Sequence, residues 1–192
     1  MTRTTLSAAR VSFALIIAAA IGLAGLALNG PLRADGHQDA ASESDVVIES
    51  DMALPADAAW KHSFDVYEAE AGEESRVLAT ALRFAKAMED EGIAQERVKL
   101  GLVIHGPSVF DVASDARYAA KHGTGSTAYE TNPNAAVVAE LVERGAEIWV
   151  CGVAAKYHKV GNADLLPGVK MAPSGTVAHA ELQRRGFGMN PY

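Results

Sequence analysis

The segment Val98–Ile104 reads VKLGLVI and runs directly into His105, Gly106 and Pro107. It is apolar at almost every position, which is typical of a central strand in a parallel sheet that is covered on both faces. The glycine–proline pair ends the strand and leaves His105 at its carboxyl end. The rest of the fold is predicted outward from this strand.

Four other segments have the character of strands. Residues 61–67 (KHSFDVY) alternate, with Phe64 and Val66 on one face. The other three predicted strands are 146–150 (AEIWV), 168–171 and 187–192. Each is short and is bounded by residues that favour turns.

Helices are predicted between these strands. Apolar residues recur at helical spacing over 73–91, and Gly92 ends that helix. Serine caps predict helices over 115–122, after Ser114, and from Ser174 through 185. Two further helices are predicted over 132–144, opening at Asn132-Pro133, and over 154–160.

The alternation of strands and helices predicts an α/β fold. We expect a single-domain three-layer sandwich with a mainly parallel sheet of about five strands and helices on both faces. Ligands of such sheets bind at the carboxyl ends of the strands. His105 and Cys151 are both predicted at such ends.

Charge divides the chain into three parts. Residues 1–34 carry three arginines and no acidic residue, and they contain an uncharged apolar run over 11–28. They predict a signal peptide that is cleaved, or a membrane anchor that is not. Residues 35–59 carry seven acidic residues and no Lys or Arg, which indicates a flexible linker. Residues 60–192 are the predicted folded domain, placed in the periplasm or otherwise exported, and attached to the inner membrane if 11–28 stays uncleaved.

Composition excludes several functions. The chain has 24 acidic against 17 basic residues and a net charge of −7, which disfavours nucleic-acid binding. Its single cysteine cannot build a disulfide framework or a multi-cysteine zinc site. The sequence has no phosphate-binding loop, dinucleotide-binding motif or zinc-protease motif, and His62, His122 and His179 lie at no metal-ligand spacing. No cofactor and no metal are therefore expected.

Cys151 is the main candidate site residue. It follows a predicted strand and precedes a predicted helix, whose N-terminal N–H groups favour a thiolate. Lys156 adds a positive charge nearby. The alternative interpretation is a small buried side chain at the end of the sheet, because free cysteine is among the most buried residue types.

Several motifs together resemble the DsrE/DsrF-like family. The resemblance covers roughly 61–192 and rests on a cysteine after the third strand, a D-L-L-P-G turn and an L-Q-x-x-G-F ending. The segments that carry it are 103–107 (VIHGP), 149–161 (WVCGVAAKYHKVG), 164–169 (DLLPGV), 173–175 (PSG) and 181–187 (ELQRRGF).

The resemblance implies a small α/β sandwich that assembles as a trimer or hexamer. It also implies a persulfide carried on Cys151, taken from a sulfur donor protein and passed to an acceptor protein. In that hypothesis Lys156 stabilises the thiolate, and His105 donates a hydrogen bond or moves a proton. The protein would then be at most a carrier of the sulfurtransferase type. The sulfur-relay members are cytoplasmic, so the predicted export segment is a departure, and a non-catalytic oligomeric binding or scaffold module remains the alternative.

Overall fold

A parallel sheet organises the chain over the described residues, 49–123 and 129–190 of this computed structural model. Its five strands follow the order β4-β3-β2-β1-β5, and all four pairings are parallel. The strands are β1 (Trp60–Val66), β2 (Val98–Ile104), β3 (Glu147–Cys151), β4 (Lys170–Ala172) and β5 (Gly188–Asn190). The predicted α/β fold with a parallel five-stranded sheet is confirmed.

Strand β2 lies at the centre because its side chains suit burial on both faces. Only Lys99 is exposed in this strand. Leu102 and Ile104 belong to the larger apolar cluster, whereas Val103 belongs to a smaller cluster on the opposite face. This alternation follows from the two-residue period of a strand.

Within the described residues, five α-helices connect or follow the strands. They are α1 (Arg76–Asp90), α2 (Asp115–His122), α3 (Ala135–Glu143), α4 (Gly152–His158) and α5 (Gly175–Arg184). Ser75, Ser114 and Ser174 cap α1, α2 and α5, and each hydroxyl accepts a backbone N–H three residues further on. The caps predicted at Ser114 and Ser174 are confirmed.

The helices form layers on both faces of the sheet. The buried residues of α1 to α4 belong to the larger cluster, and α1 packs against α3. Helix α5 covers the other face, where Leu182 lies over Gly101 of β2. The Arg185 guanidinium forms a two-point ion pair with Glu147 of β3, at 2.7 and 3.1 Å, which fixes the end of α5 to the sheet.

The start of α3 differs from the sequence prediction. Asn132 was expected to cap this helix, but the helix begins at Ala135 with Asn134 as its N-cap. The Asn132 side-chain amide instead donates to the carbonyls of Phe110, Asp111 and Ala113 at 2.7–3.1 Å. Asn132 therefore joins two loops through Nδ2, while its Oδ1 accepts the Asn134 N–H at 2.9 Å in the turn that precedes α3.

The start of α4 also differs from the prediction, by two residues. The helix begins at Gly152, so Cys151 is at once the last residue of β3 and the N-cap of α4. A side chain at Gly152 would place its Cβ 2.6 Å from the carbonyl oxygen of Ala172 on β4. Glycine therefore allows the chain to turn into a helix directly after the strand.

The N-terminal predictions fall mainly outside the described residues. This holds for the signal peptide or anchor over 1–34, the apolar run over 11–28 and the linker over 35–48. No helix within 49–123 and 129–190 is both long enough and apolar enough to span a membrane. Residues 49–59 form no helix or strand, but Leu54 packs against the larger cluster and the Arg97 guanidinium donates to the Asp57 carbonyl.

Candidate functional site

A cavity of about 370 Å³ opens at the carboxyl ends of β1, β2 and β3, beside the first turns of α5. Its walls combine residues from every one of these elements and from α4 and β5. They are Asp65, His105, Cys151, Val153, Ser174, Gly175, Thr176, His179 and Met189. The cavity lies where parallel α/β sheets bind their ligands.

Cys151 forms part of the cavity wall with little of its surface exposed. The residue is 8% exposed and has no disulfide partner, being the only cysteine of the chain. A Cβ built on Gly175 would lie 3.7 Å from the Cys151 Sγ, so the first turn of α5 contacts the thiol. Two helices thus begin beside Cys151, whereas the sequence indicated only α4.

His105 reaches the same cavity from the end of β2. Its backbone N–H donates to the Val66 carbonyl at 2.9 Å, which extends the pairing of β1 with β2 by one residue. Its Nε2 lies 2.6 Å from Oδ1 of Asp65 on β1. The ring of Tyr67 packs against the His105 ring with centroids 5.0 Å apart. The structure therefore brings His105 and Cys151 to one cavity. Both were predicted at strand ends.

Gly106 makes this placement of His105 possible. Its φ is +58°, in the left-handed region that glycine adopts at little cost. A Cβ at this position would also lie 2.5 Å from the Tyr67 ring. Glycine thus lets the chain turn sharply after His105 while Tyr67 covers the turn.

His179 of α5 completes a cluster around Asp65. Its Nε2 lies 2.9 Å from the same Oδ1 atom that contacts His105. Its Nδ1 is enclosed and has no hydrogen-bond partner among the described residues. An ionised carboxylate only accepts hydrogen bonds, so both Nε2 atoms carry a proton when Asp65 is charged.

Lys156 does not belong to the wall of this cavity. It lies on the exposed side of α4, and its side chain makes no hydrogen bond or ion pair within the described residues. The expectation that Lys156 stabilises the thiolate stays a prediction, with no contact in the structure behind it.

Asp65 and His179 were not identified from the sequence. Asp65 is the polar residue between Phe64 and Val66 near the end of β1, so its side chain points to the opposite face from theirs. A polar residue near the carboxyl end of a strand could therefore have been predicted as a site residue from the sequence. His179 required knowing that α5 crosses the strand ends, which local patterns do not reveal.

Two histidines, one carboxylate and one thiol come together at this cavity. Among residues 49–123 and 129–190, no group of three or more His, Cys, Asp or Glu side chains is arranged to hold a metal ion. The arrangement is instead a thiol beside two histidines that share one carboxylate. Such a group combines a nucleophile with proton donors and acceptors.

Comparison with known proteins identifies the class of protein that carries this fold and site. The model of the DsrE/DsrF-like family matches residues 63–189, which is well over half of the chain. The chain therefore belongs to the DsrE/DsrF-like family.

Two solved structures are similar to the chain. The first is MTH1491, a protein of unknown function from Methanobacterium thermoautotrophicum, which is 21% identical in sequence. The match covers 68% of this chain and 97% of MTH1491, with a TM-score of 0.50. The YchN protein from E. coli is 19% identical over 68% of this chain and 96% of its own, with a TM-score of 0.39. No curated protein shows significant similarity to the chain. At 21% identity, the similarity to MTH1491 shows a shared fold and nothing more.

Proposed function

We propose that this protein carries sulfane sulfur as a persulfide on Cys151. The observation that supports the proposal is the position of the only thiol in the chain. It lies on the wall of a cavity at the carboxyl end of the sheet, which it shares with His105. Membership in the DsrE/DsrF-like family is consistent with such a role.

Loading would proceed by thiol–disulfide-type exchange. The Cys151 thiolate attacks the outer sulfur of a donor persulfide, R–S–SH, and forms Cys151–S–SH. The donor S–S bond breaks, and R–S⁻ leaves and takes up a proton to become R–SH. One sulfur atom moves and no net oxidation or reduction takes place.

In the delivery step the outer sulfur leaves Cys151 for an acceptor thiol. An acceptor thiol loses its proton, and its thiolate attacks the outer sulfur of Cys151–S–SH. The bond from that sulfur to Cys151 breaks, the acceptor becomes a persulfide, and Cys151 regains its thiolate. His105 lies on the same cavity wall, and an imidazole is suited to both proton transfers.

The scaffold alternative has its own supporting observation. At 8% exposure, Cys151 counts among the buried apolar residues of the domain. A thiol packed in this way behaves as a small apolar side chain and is inert. The two functions therefore differ in whether reagents that enter the cavity reach the Sγ atom.

Thiol labelling in the native state separates the two functions. Because Cys151 is the only cysteine, any modified thiol in the intact protein is Cys151. The carrier function predicts native labelling by iodoacetamide within about tenfold of the rate in denaturant, since the cavity gives access to the thiol. Labelling only after unfolding would contradict the carrier function and support the scaffold. Cys151→Ser, which has no thiol, gives the background.

We further propose that the protein is exported and acts as a homo-oligomer with donor and acceptor proteins as partners. The basic start and apolar run of residues 1–34 support export. Family membership supports assembly into trimers or hexamers. Cell fractionation with sequencing of the mature N-terminus tests export and cleavage, and light scattering of the purified protein tests assembly.

A further inference from the structure

We propose that Asp65 and His179 are positioning residues that make His105 the proton donor and acceptor for sulfur transfer at Cys151. The inference rests on the proposed carrier function and adds a division of labour within the cavity. It is based on two observations. His105 and His179 share one oxygen of Asp65, and only the Nδ1 atom of His179 is enclosed without a hydrogen-bond partner.

The shared oxygen fixes both histidine rings. Oδ1 of Asp65 lies 2.6 Å from Nε2 of His105 and 2.9 Å from Nε2 of His179. Since the carboxylate accepts both bonds, each ring holds a proton on Nε2 and leaves Nδ1 for any further proton. The two rings come from β2 and α5, so Asp65 also ties the helix to the strand ends.

The two Nδ1 atoms lie in different surroundings. Nδ1 of His179 is enclosed, and a proton on it would be an N–H without an acceptor among the described residues. His179 therefore acts on Asp65 through Nε2 and is poorly placed to exchange protons through Nδ1. The His105 side chain is 31% exposed, and its Nδ1 is neither enclosed nor hydrogen-bonded within the described residues. His105 is thus the ring that exchanges protons with bound reactants.

This division suits a reaction that needs an acid in one half and a base in the other. During loading, protonated His105 gives its Nδ1 proton to the departing R–S⁻. During delivery, neutral His105 takes the proton of the acceptor thiol at Nδ1. After delivery His105 is an imidazolium and Cys151 is again a thiolate, and the Asp65 carboxylate stabilises that imidazolium until the next loading step.

No other titratable group on the cavity wall competes for this role. The titratable residues on the wall are Asp65, His105, Cys151 and His179. Among them, α5 contributes only His179, and α4 and β5 contribute none. The hydroxyls of Ser174 and Thr176 lie 2.9 Å apart, and the Ser174 Oγ also accepts the Val177 N–H. The Ser174 hydroxyl is thus engaged in capping α5, and the Thr176 hydroxyl is hydrogen-bonded to Ser174.

The test compares persulfide delivery by wild type and Asp65→Asn, which keeps the shape of the side chain and removes its charge. Protein loaded with polysulfide is freed of excess reagent and mixed with dithiothreitol, and loss of the Cys151 adduct is followed by mass spectrometry. We expect Asp65→Asn to discharge about 100-fold more slowly near pH 7. Asp90→Asn, at the exposed end of α1, is the matched control and is expected to match wild type.

The pH profile distinguishes proton transfer from a general structural defect. In Asp65→Asn the rate should rise with the ionisation of dithiothreitol and approach that of wild type near about pH 9. A misfolded site would stay slow at every pH. His105→Gln removes the same proton route and should give the same profile, so it carries the test if Asp65→Asn fails to fold.

Two results have distinct meanings. If wild type loads sulfur and Asp65→Asn and His105→Gln discharge it with the wild-type rate and pH profile, the role of Asp65 and His179 is overturned and the carrier function stands. If wild type takes up no sulfur, the carrier function itself fails. His179→Asn, which loses the anchor but keeps His105 and Asp65, should discharge at an intermediate rate.

Discussion

Asp111 is a buried carboxyl group at the end of the turn that follows His105. It is 2% exposed, and its Oδ2 has no hydrogen-bond partner among the described residues. Burial raises the pKa of Asp111 from 3.8 to about 7, because an unpaired charge is poorly solvated inside the domain. Between about pH 4 and about pH 7 the folded protein therefore holds a proton on Asp111 that the unfolded chain has lost.

This proton makes stability depend on pH in a defined direction. Between pH 4 and 7 the folded state binds more protons than the unfolded state, so the free energy of unfolding falls as pH rises through this range. Asp111→Asn removes the cost of ionisation. Its stability advantage over wild type should grow by roughly 3 kcal/mol between about pH 5 and about pH 8, measured by urea unfolding. An advantage that does not change with pH would show that Asp111 ionises freely in the fold.

Single residues differed in how far their roles could be predicted from the sequence. His105 and Cys151 each follow an apolar strand, and strand ends of a parallel sheet meet at one edge, so their meeting was predictable. The partnership of His105 with Asp65 and His179 depends on how α5 crosses that edge. The tilt of α5 is set by tertiary packing and has no local signal.

At the scale of elements, the junction of β3 and α4 controls the position of Cys151. It requires Gly152, because a Cβ there would lie 2.6 Å from the Ala172 carbonyl and 3.0 Å from the Pro173 carbonyl. These contacts are with backbone, which cannot move aside as a flexible side chain does. The start of α4 is therefore held close to the end of β4.

Gly152→Ala should lower the free energy of unfolding by about 1–3 kcal/mol, because the added methyl group forces α4 away from β4. Gly161→Ala is the matched control. Its Cβ would meet only Asp164 Oδ2, at 3.5 Å, and its φ of −93° suits alanine. The control should stay within about 0.5 kcal/mol of wild type in urea unfolding. Equal stability of both variants would contradict the close approach of α4 and β4.

The starts of helices were predicted best where a serine cap preceded them. Ser114 and Ser174 marked α2 and α5 correctly, because a serine in that position has few other roles. Asn132 misled the prediction of α3, since its amide binds carbonyls of a loop about twenty residues earlier in the chain. A contact of that range cannot be read from local sequence.

At the scale of the whole molecule, the two faces of the sheet are covered unequally. One face carries the larger apolar cluster with α1 to α4, and the other carries α5 over a small cluster of five buried residues. The order of elements predicted helices on both faces, but not that a single helix would cover one of them. The cavity lies beside this single helix, with Cys151 on its wall.

The proposed carrier function depends on the chemistry of the Cys151 thiol. The most direct measurement is the intact mass of the protein after exposure to polysulfide, with Cys151→Ser treated in parallel. The carrier function predicts a gain of about 32 Da, one sulfur atom, that is lost on addition of dithiothreitol and never forms on Cys151→Ser. Equal masses for wild type and variant after this treatment would contradict the carrier function.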